Sequence, residues 1–266
     1  MRLRIGHLAG IWISPDQGVA CTIYLNIALE NSLKGGKMNI AKMLLMLFLV
    51  STLSAASSTI LILDASGSMD STAPGSSDRK IEVAKDAAYT LLDNVNSGDE
   101  MALIVFYDCN DIQTVVDYTT DMSALRSALS PIEPDSSTPI GRSITYAANY
   151  AQSSGRPNSN IIILTDGEET CDSQSAAVAA AQNATSYGGV KVINVVGFDI
   201  QGSTAGKSLE DIATAGGGQY YSANDSAQLA NSLTQAYTGG SDSSCCGSAA
   251  LTSFVLLGAF FYSRKG

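Results

Sequence analysis

Two short apolar runs constrain this chain most: residues 59–64 (TILILD) and residues 160–165 (NIIILT), the second followed at once by Asp166. Neither run alternates apolar with polar residues. A strand of that kind needs cover on both faces, the condition of a central strand in a parallel sheet sandwiched by helices. Each run also delivers an aspartate at its carboxyl end.

The rest of residues 59–238 alternates strand and helix signals. Ile81, Ala84, Ala88, Leu91 and Val95 recur at spacings of three and four, which predicts an amphipathic helix stopped by Asn96-Ser97-Gly98-Asp99. Residues 101–107 and 112–116 read as the second and third strands. Their short connection calls for an antiparallel pair, because a parallel pair needs a longer crossover. Pro139 opens a helix running towards Ala151, with Thr138 expected as its N-cap and proline in the favoured first position. Residues 160–165 make the fourth strand, 173–187 an alanine-rich helix and 190–198 the fifth strand. A helix at 209–215 ends at Gly216-Gly217-Gly218, a short strand follows at 219–222, and a helix at 227–237 closes before Gly239-Gly240. About six strands with interleaved helices predict an α/β fold: a doubly wound, mostly parallel sheet with helices on both faces and one antiparallel edge strand.

Ligands of such sheets bind outside the carboxyl ends of the strands, where the strand order reverses. Asp64 and Asp166 are expected on that rim. Ser66 and Ser68 follow in Asp64-Ala65-Ser66-Gly67-Ser68, and Thr138 precedes its own helix. All five carry oxygen, the donor preferred by hard divalent cations, so Mg2+ is the expected ion, with Mn2+ or Ca2+ as alternatives. Two carboxylates supply charge, and three hydroxyls ligate or hold water. A coordination position left open would accept an outside acidic group. Any one of these residues alone reads better as a helix cap or turn former.

Composition closes other routes. With 45% hydrophobic residues over 266 positions the chain can bury one good core. The net charge of -10, without a basic run, makes nucleic acid and anionic membrane surfaces poor electrostatic partners. His7 is the one histidine and lies ahead of the folded part, so His-dependent nucleophiles and His-based zinc sites are not expected. The five cysteines, Cys21, Cys109, Cys171, Cys245 and Cys246, include no CxxC pair. An EF-hand starting at Asp64 would put Met69 where glycine belongs and Gly75 where a carboxylate belongs. No nucleotide-binding glycine loop occurs.

Both ends carry signals of export. Residues 38–56 read as a signal peptide, with Lys42, an apolar stretch at 43–53 and small residues at Ser54-Ala55-Ala56, cleaved after Ala56. An uncleaved anchor is the alternative, although the stretch is short of the roughly 20 residues of a span. Residues 1–37 precede this signal as a doubtful extension. A Gly/Ser/Cys linker at 239–248 leads to an apolar segment and basic end at 249–266, read as a membrane anchor or a sorting tail with its basic end inside. The folded domain between them spans 57–238.

At this point the chain resembles a known family. Asp64-Ala65-Ser66-Gly67-Ser68, Thr138-Pro139-Ile140-Gly141 and Thr165-Asp166-Gly167-Glu168-Glu169 look like the three loops of a von Willebrand factor type A domain of the secreted bacterial type. Ser97-Gly98-Asp99 and Gly216-Gly217-Gly218-Gln219-Tyr220-Tyr221 support the likeness, which covers residues 58–238. The resemblance implies a complete metal-ion-dependent adhesion site. Ser66 and Ser68 would be direct ligands beside Asp64, Thr138 would bind directly or through water, and Asp166 through water. With all five in family order, the site outweighs the capping reading.

The resemblance also implies a strand order in which the strands preceding Cys109 and Cys171 flank the first, roughly 10 Å apart at about 4.8 Å per step. A disulfide requires their loops to lean over the first strand. Export allows one, and similar cysteines accompany the Asp-Gly-Glu-Glu-Thr-Cys element in some secreted relatives; two free thiols are the alternative. Glu168 and Glu169 read as solvated rim charge, and Tyr220 and Tyr221 as packing at the sheet end. The implied function is non-enzymatic: an exported, envelope-associated domain that binds a protein ligand whose acidic side chain completes the cation's coordination. An assembly or regulatory subunit of an envelope complex would use the same site. An Asp-based phosphatase is disfavoured, since Ser66 stands where a general acid is needed.

Overall fold

The unbroken apolar runs are strands buried on both faces. A computed structural model describes residues 56–200 and 203–240. The extension at 1–37, the signal peptide before Ala56, most of the linker and the segment 249–266 lie outside the described residues, as do His7, Cys21, Cys245 and Cys246. Among the described residues no helix is long and apolar enough to cross a membrane.

In chain order the elements are β1 (Ser58–Asp64), a 3-10 turn (Gly67–Asp70), α1 (Lys80–Asp93), β2 (Glu100–Asp108), β3 (Asp111–Thr119), α2 (Met122–Leu129), α3 (Ile140–Ser153), β4 (Ser159–Thr165), α4 (Gln174–Ser186), β5 (Val190–Phe198), α5 (Ser203–Ala215), β6 (Gly217–Ala223) and α6 (Ser226–Gly240). The sheet order is β3-β2-β1-β4-β5-β6. Among the described strands only β2 and β3 pair antiparallel; the other strand pairings are parallel. The α/β fold, with one antiparallel edge strand, is the one the sequence predicts. Helix α2 is an addition to that reading. Asp121 caps it by accepting the Ser123 N–H at 3.0 Å, and Leu125 and Leu129 anchor it. Helix α5 starts earlier than residue 209, and β3 and β6 run beyond their apolar stretches.

Side-chain alternation divides each central strand between two cores. Leu61 and Leu63 pack with Ile81, Leu91, Leu229 and Leu233 on the face covered by α1, α2 and α6. Ile60 and Ile62 pack with Ile140, Ile144, Ala181 and Ile212 under α3, α4 and α5. The alanines of α4 serve close approach: a Cβ at Gly141 of α3 would lie 3.0 Å from the Ala177 Cα, so the two helices meet at a glycine. The β3 edge is occupied as well. The Tyr146 hydroxyl accepts the Thr114 N–H at 3.3 Å and the Tyr150 hydroxyl accepts the Tyr118 N–H at 3.1 Å, covering backbone donors that could template another strand.

A polar clamp closes the amino end of the sheet. Asp99 accepts the Ser57 N–H at 2.6 Å, the Tyr237 hydroxyl at 2.5 Å and the Asn96 Nδ2 at 3.1 Å, joining the start of the domain to its last helix. Tyr237→Phe removes a bond to a charged acceptor and should cost about 1.5–3 kcal/mol. The expected reading is a lower urea midpoint at an unchanged m-value.

Candidate metal centre

β1 ends in a carboxylate that cannot reach water. Asp64 is wholly buried. Its Oδ1 accepts the Ser66 N–H at 2.7 Å and its Oδ2 accepts the Thr165 hydroxyl at 2.5 Å. The Ser66 and Ser68 hydroxyls lie 3.1 Å apart, and Ser68 donates to Asp166 Oδ1 at 2.6 Å. Ser66, Thr138 and Asp166 are also buried, whereas Ser68 is exposed, so the cluster opens to solvent at one hydroxyl. The Thr138 and Ser68 hydroxyls both face Gly167, at 3.8 and 3.9 Å from where its Cβ would be. Residues from three loops thus gather where β1 and β4 end side by side.

Thr138 does not cap α3. Pro139 occupies the N-cap position and makes no side-chain cap bond, which sets Thr138 one residue too early. Glu169 takes over the duty. Its Oε2 accepts the Gly141 N–H at 2.7 Å, and its Oε1 accepts the N–H groups of Cys171 and Asp172 at 2.8 and 3.0 Å. Glu169 is therefore a structural group rather than solvated charge; Glu168 is exposed, as expected. Thr138 is held through its backbone instead: its N–H donates to the Thr170 hydroxyl at 2.8 Å, and its carbonyl accepts the Thr170 N–H at 3.0 Å.

The loops are knitted together. Gly67 N–H donates to Ser136 O at 3.2 Å and Asp135 N–H to Ala65 O at 2.8 Å. A Cβ at Gly67 would sit 2.9 Å from Asp135 O, so only glycine permits that approach. Cys109 and Cys171 form a disulfide with a Cα–Cα distance of 5.5 Å, well inside the separation of their parent strands. Their loops do lean over β1. Arg142 reinforces the bridge, pairing with Asp172 at 2.7 and 3.0 Å while donating to Cys109 O at 3.0 Å.

Two participants escaped the sequence reading. Lys80, the first residue of α1, places its Nζ 2.9 Å from Asp166 Oδ2 and 2.9 Å from Asp199 Oδ2. Burial pulls its pKa down, but the bonds to Asp166 and Asp199 outweigh it, and the net shift is upward. Asp199 follows β5 as Asp64 closes β1 and Asp166 follows β4, a signal available in the run at 190–198. Its φ of 53° is one that aspartate tolerates better than most residues. Asp70, by contrast, pairs with Arg79 at 3.0 Å.

Burial, and then the neighbouring Asp166 charge, push Asp64 up to about 6, against the pull of its bonds from Ser66 and Thr165. Among the described residues no three His, Cys, Asp or Glu side chains gather in a metal-binding group. A cation here would depend on hydroxyls beside two carboxylates. An all-oxygen donor set around an anion that burial disfavours suits a hard dication.

The sign of the pH dependence follows. Below the ordinary value of 3.8 Asp64 is protonated folded or unfolded and costs nothing; as pH rises from there through about 6, stability is lost. At 1.36 kcal/mol per unit the loss reaches about 3 kcal/mol. In chelator at pH 7, Asp64→Asn should therefore be more stable than the parent, with the gap closing towards pH 4, as read by denaturant titration. Replacing both Cys109 and Cys171 by serine should cost about 4 kcal/mol, the loop-entropy value for a closed loop of this size, and lower the melting temperature by roughly 8–16 °C.

Comparison with known proteins agrees with this geometry. The model of the von Willebrand factor type A domain matches residues 59–169, a span that includes all five candidate ligands. The uncharacterized protein YwmD of Bacillus subtilis (strain 168) is 26% identical over 186 residues, covering 64% of this chain and 80% of its own. The crystal structure of conserved hypothetical protein BatB from Bacteroides thetaiotaomicron has a TM-score of 0.59 at 24% identity, covering 71% of this chain and 100% of its own. The domain of the type V pili tip protein Mfa5 from Porphyromonas gingivalis also has a TM-score of 0.59, at 15% identity, covering 74% of this chain and 100% of its own. At such identities these structures speak for the fold alone. The matched family model covers the part of the chain that carries the candidate site, and the overlapping structures share its fold.

Proposed function

We propose that this is an exported, envelope-associated domain that binds a protein ligand through a divalent cation, Mg2+ or a close substitute, held by Asp64, Ser66, Ser68, Thr138 and Asp166. The observation that carries the reading is the convergence of these oxygen-bearing side chains from three loops at the carboxyl ends of β1 and β4. The bound cation would supply a positive centre with room for an outside carboxylate. Asp64 contributes a buried negative charge that a dication relieves. The serine and threonine hydroxyls add donors without adding charge, and exposed Ser68 marks the side from which a ligand arrives. The pili tip protein supports the reading by offering the same fold in a surface appendage. The export and tail signals of the sequence support the location.

Calorimetric titration of the folded domain with Mg2+ and Mn2+ tests the first half. One saturable site is expected in the parent, with affinity lowered at least tenfold by Asp64→Ala and by Ser68→Ala. Equal binding in parent and variants overturns the assignment. Retention of an envelope protein on the immobilised domain tests the second half: EDTA and Asp64→Ala should each abolish it, and retention indifferent to both removes cation-dependent recognition.

A further inference from the structure

Lys80 stands out because it brings a fixed positive charge to a place proposed for a metal. Its Nζ bridges Asp166 Oδ2 and Asp199 Oδ2, both at 2.9 Å, while Ser68 holds the other oxygen of Asp166. Lys80 is 8% exposed, so the charge is largely withdrawn from solvent and weakly screened. Resting on the cation-site reading above, we propose that Lys80 is a specificity-determining residue: it gives up part of the cation affinity so that the loaded site accepts an acidic ligand.

Charge balance sets the trade. Asp64, Asp166 and Asp199 contribute three negative charges when ionised, and Lys80 contributes one positive charge, leaving two negative. A dication brings that group to neutrality, and an incoming carboxylate meets the bound ion without a residual negative field. Without Lys80 the same group would hold the dication more tightly and still carry one negative charge, which repels the carboxylate. Asp199 has the opposite effect. Its carboxylate, paired with the Lys80 ammonium, adds a negative charge beside the candidate ligands. Lysine at this position also holds Asp166 in place before any cation arrives, through a bond independent of the Ser68 hydroxyl.

Two substitutions of opposite sign test the proposal, with Mn2+ as the cation and acetate as the acidic probe. Mn2+ affinity is read by electron paramagnetic resonance. Acetate binding is read from the fall in water-proton relaxation of the Mn2+-loaded protein. Lys80→Met should tighten Mn2+ by about tenfold and raise the acetate concentration for half-effect by a similar factor, as one charge at close range does. Asp199→Asn should weaken Mn2+ and lower the acetate requirement. Lys80→Arg should stay near the parent in both. A structural role alone would move both variants the same way, and that outcome, or no shift in either, overturns the proposal while leaving the cation site standing. Should Lys80→Met fail to fold, Asp199→Asn against the parent decides the sign. A parent that binds no Mn2+ overturns this inference and the proposed function together.

Discussion

The site depends on a carboxylate set in the wrong place for its own charge. Asp64 closes the central strand of the sheet, where strand packing leaves no water. Two donors satisfy its oxygens, the Ser66 N–H and the Thr165 hydroxyl, yet they do not cancel the cost of burial and of the Asp166 charge nearby. A carboxylate so placed destabilises the domain near neutral pH, a persistent cost in a marginally stable fold. Charge repulsion also accounts for the three hydroxyls. Further carboxylates would multiply the repulsion, whereas hydroxyls provide oxygen donors that can hydrogen-bond to one another when no cation is present.

Holding such a cluster requires a rigid surround. Each of the three loops is tied to another by backbone or covalent links. The first loop bonds to the segment before Thr138 through Gly67 and Asp135. That segment bonds to Thr170, and Thr170 precedes Cys171, whose disulfide returns to the loop after β2. Glu169 fastens the same loop to the start of α3. The result is a closed circuit around the ends of β2, β1 and β4. Backbone contacts within it fix the loops, and the Ser66–Ser68 and Ser68–Asp166 bonds orient the hydroxyls, the kind of support that preorganises a site.

The central strands and the core were legible because burial on both faces writes an uninterrupted apolar run, as in residues 59–64 and 160–165, whereas the strand order came only with the family resemblance. Asp64 and Asp166 were legible because they sit at the ends of such runs, with Ser66 and Ser68 just beyond the first, while Thr138 precedes a helix and joined the set through the family resemblance. Helix α2 was missed, being only two turns long with its apolar residues facing one core. Thr138 was misread as a cap, since the choice between Thr138 and Pro139 rests on one residue of backbone register that no composition encodes. Glu169 and Lys80 were missed for a common reason. A charged residue is read as solvent-facing unless a partner is known, and the partners of both come from segments distant in the chain: Gly141 for Glu169, and Asp166 and Asp199 for Lys80. Asp199 did carry a signal, as a further aspartate directly after an apolar strand.

The two ends of the sheet place opposite demands on pH. At the amino end, burial works against Asp99, but the Ser57 N–H and the Tyr237 and Asn96 side chains outweigh it and hold its pKa below the ordinary value. That stability is complete above the unfolded value of 3.8 and is lost as pH falls through the lower folded one. At the carboxyl end the loss from Asp64 grows as pH rises from 3.8 to about 6. Between those limits the clamp is intact while the site is partly relieved, so these two groups together favour mildly acidic conditions for the cation-free domain. At neutral pH the clamp keeps its full contribution and the site bears its full cost. The two effects therefore lie at opposite ends of the strands: one end of the sheet supplies stability, and the other holds a buried charge that its hydrogen bonds do not fully offset.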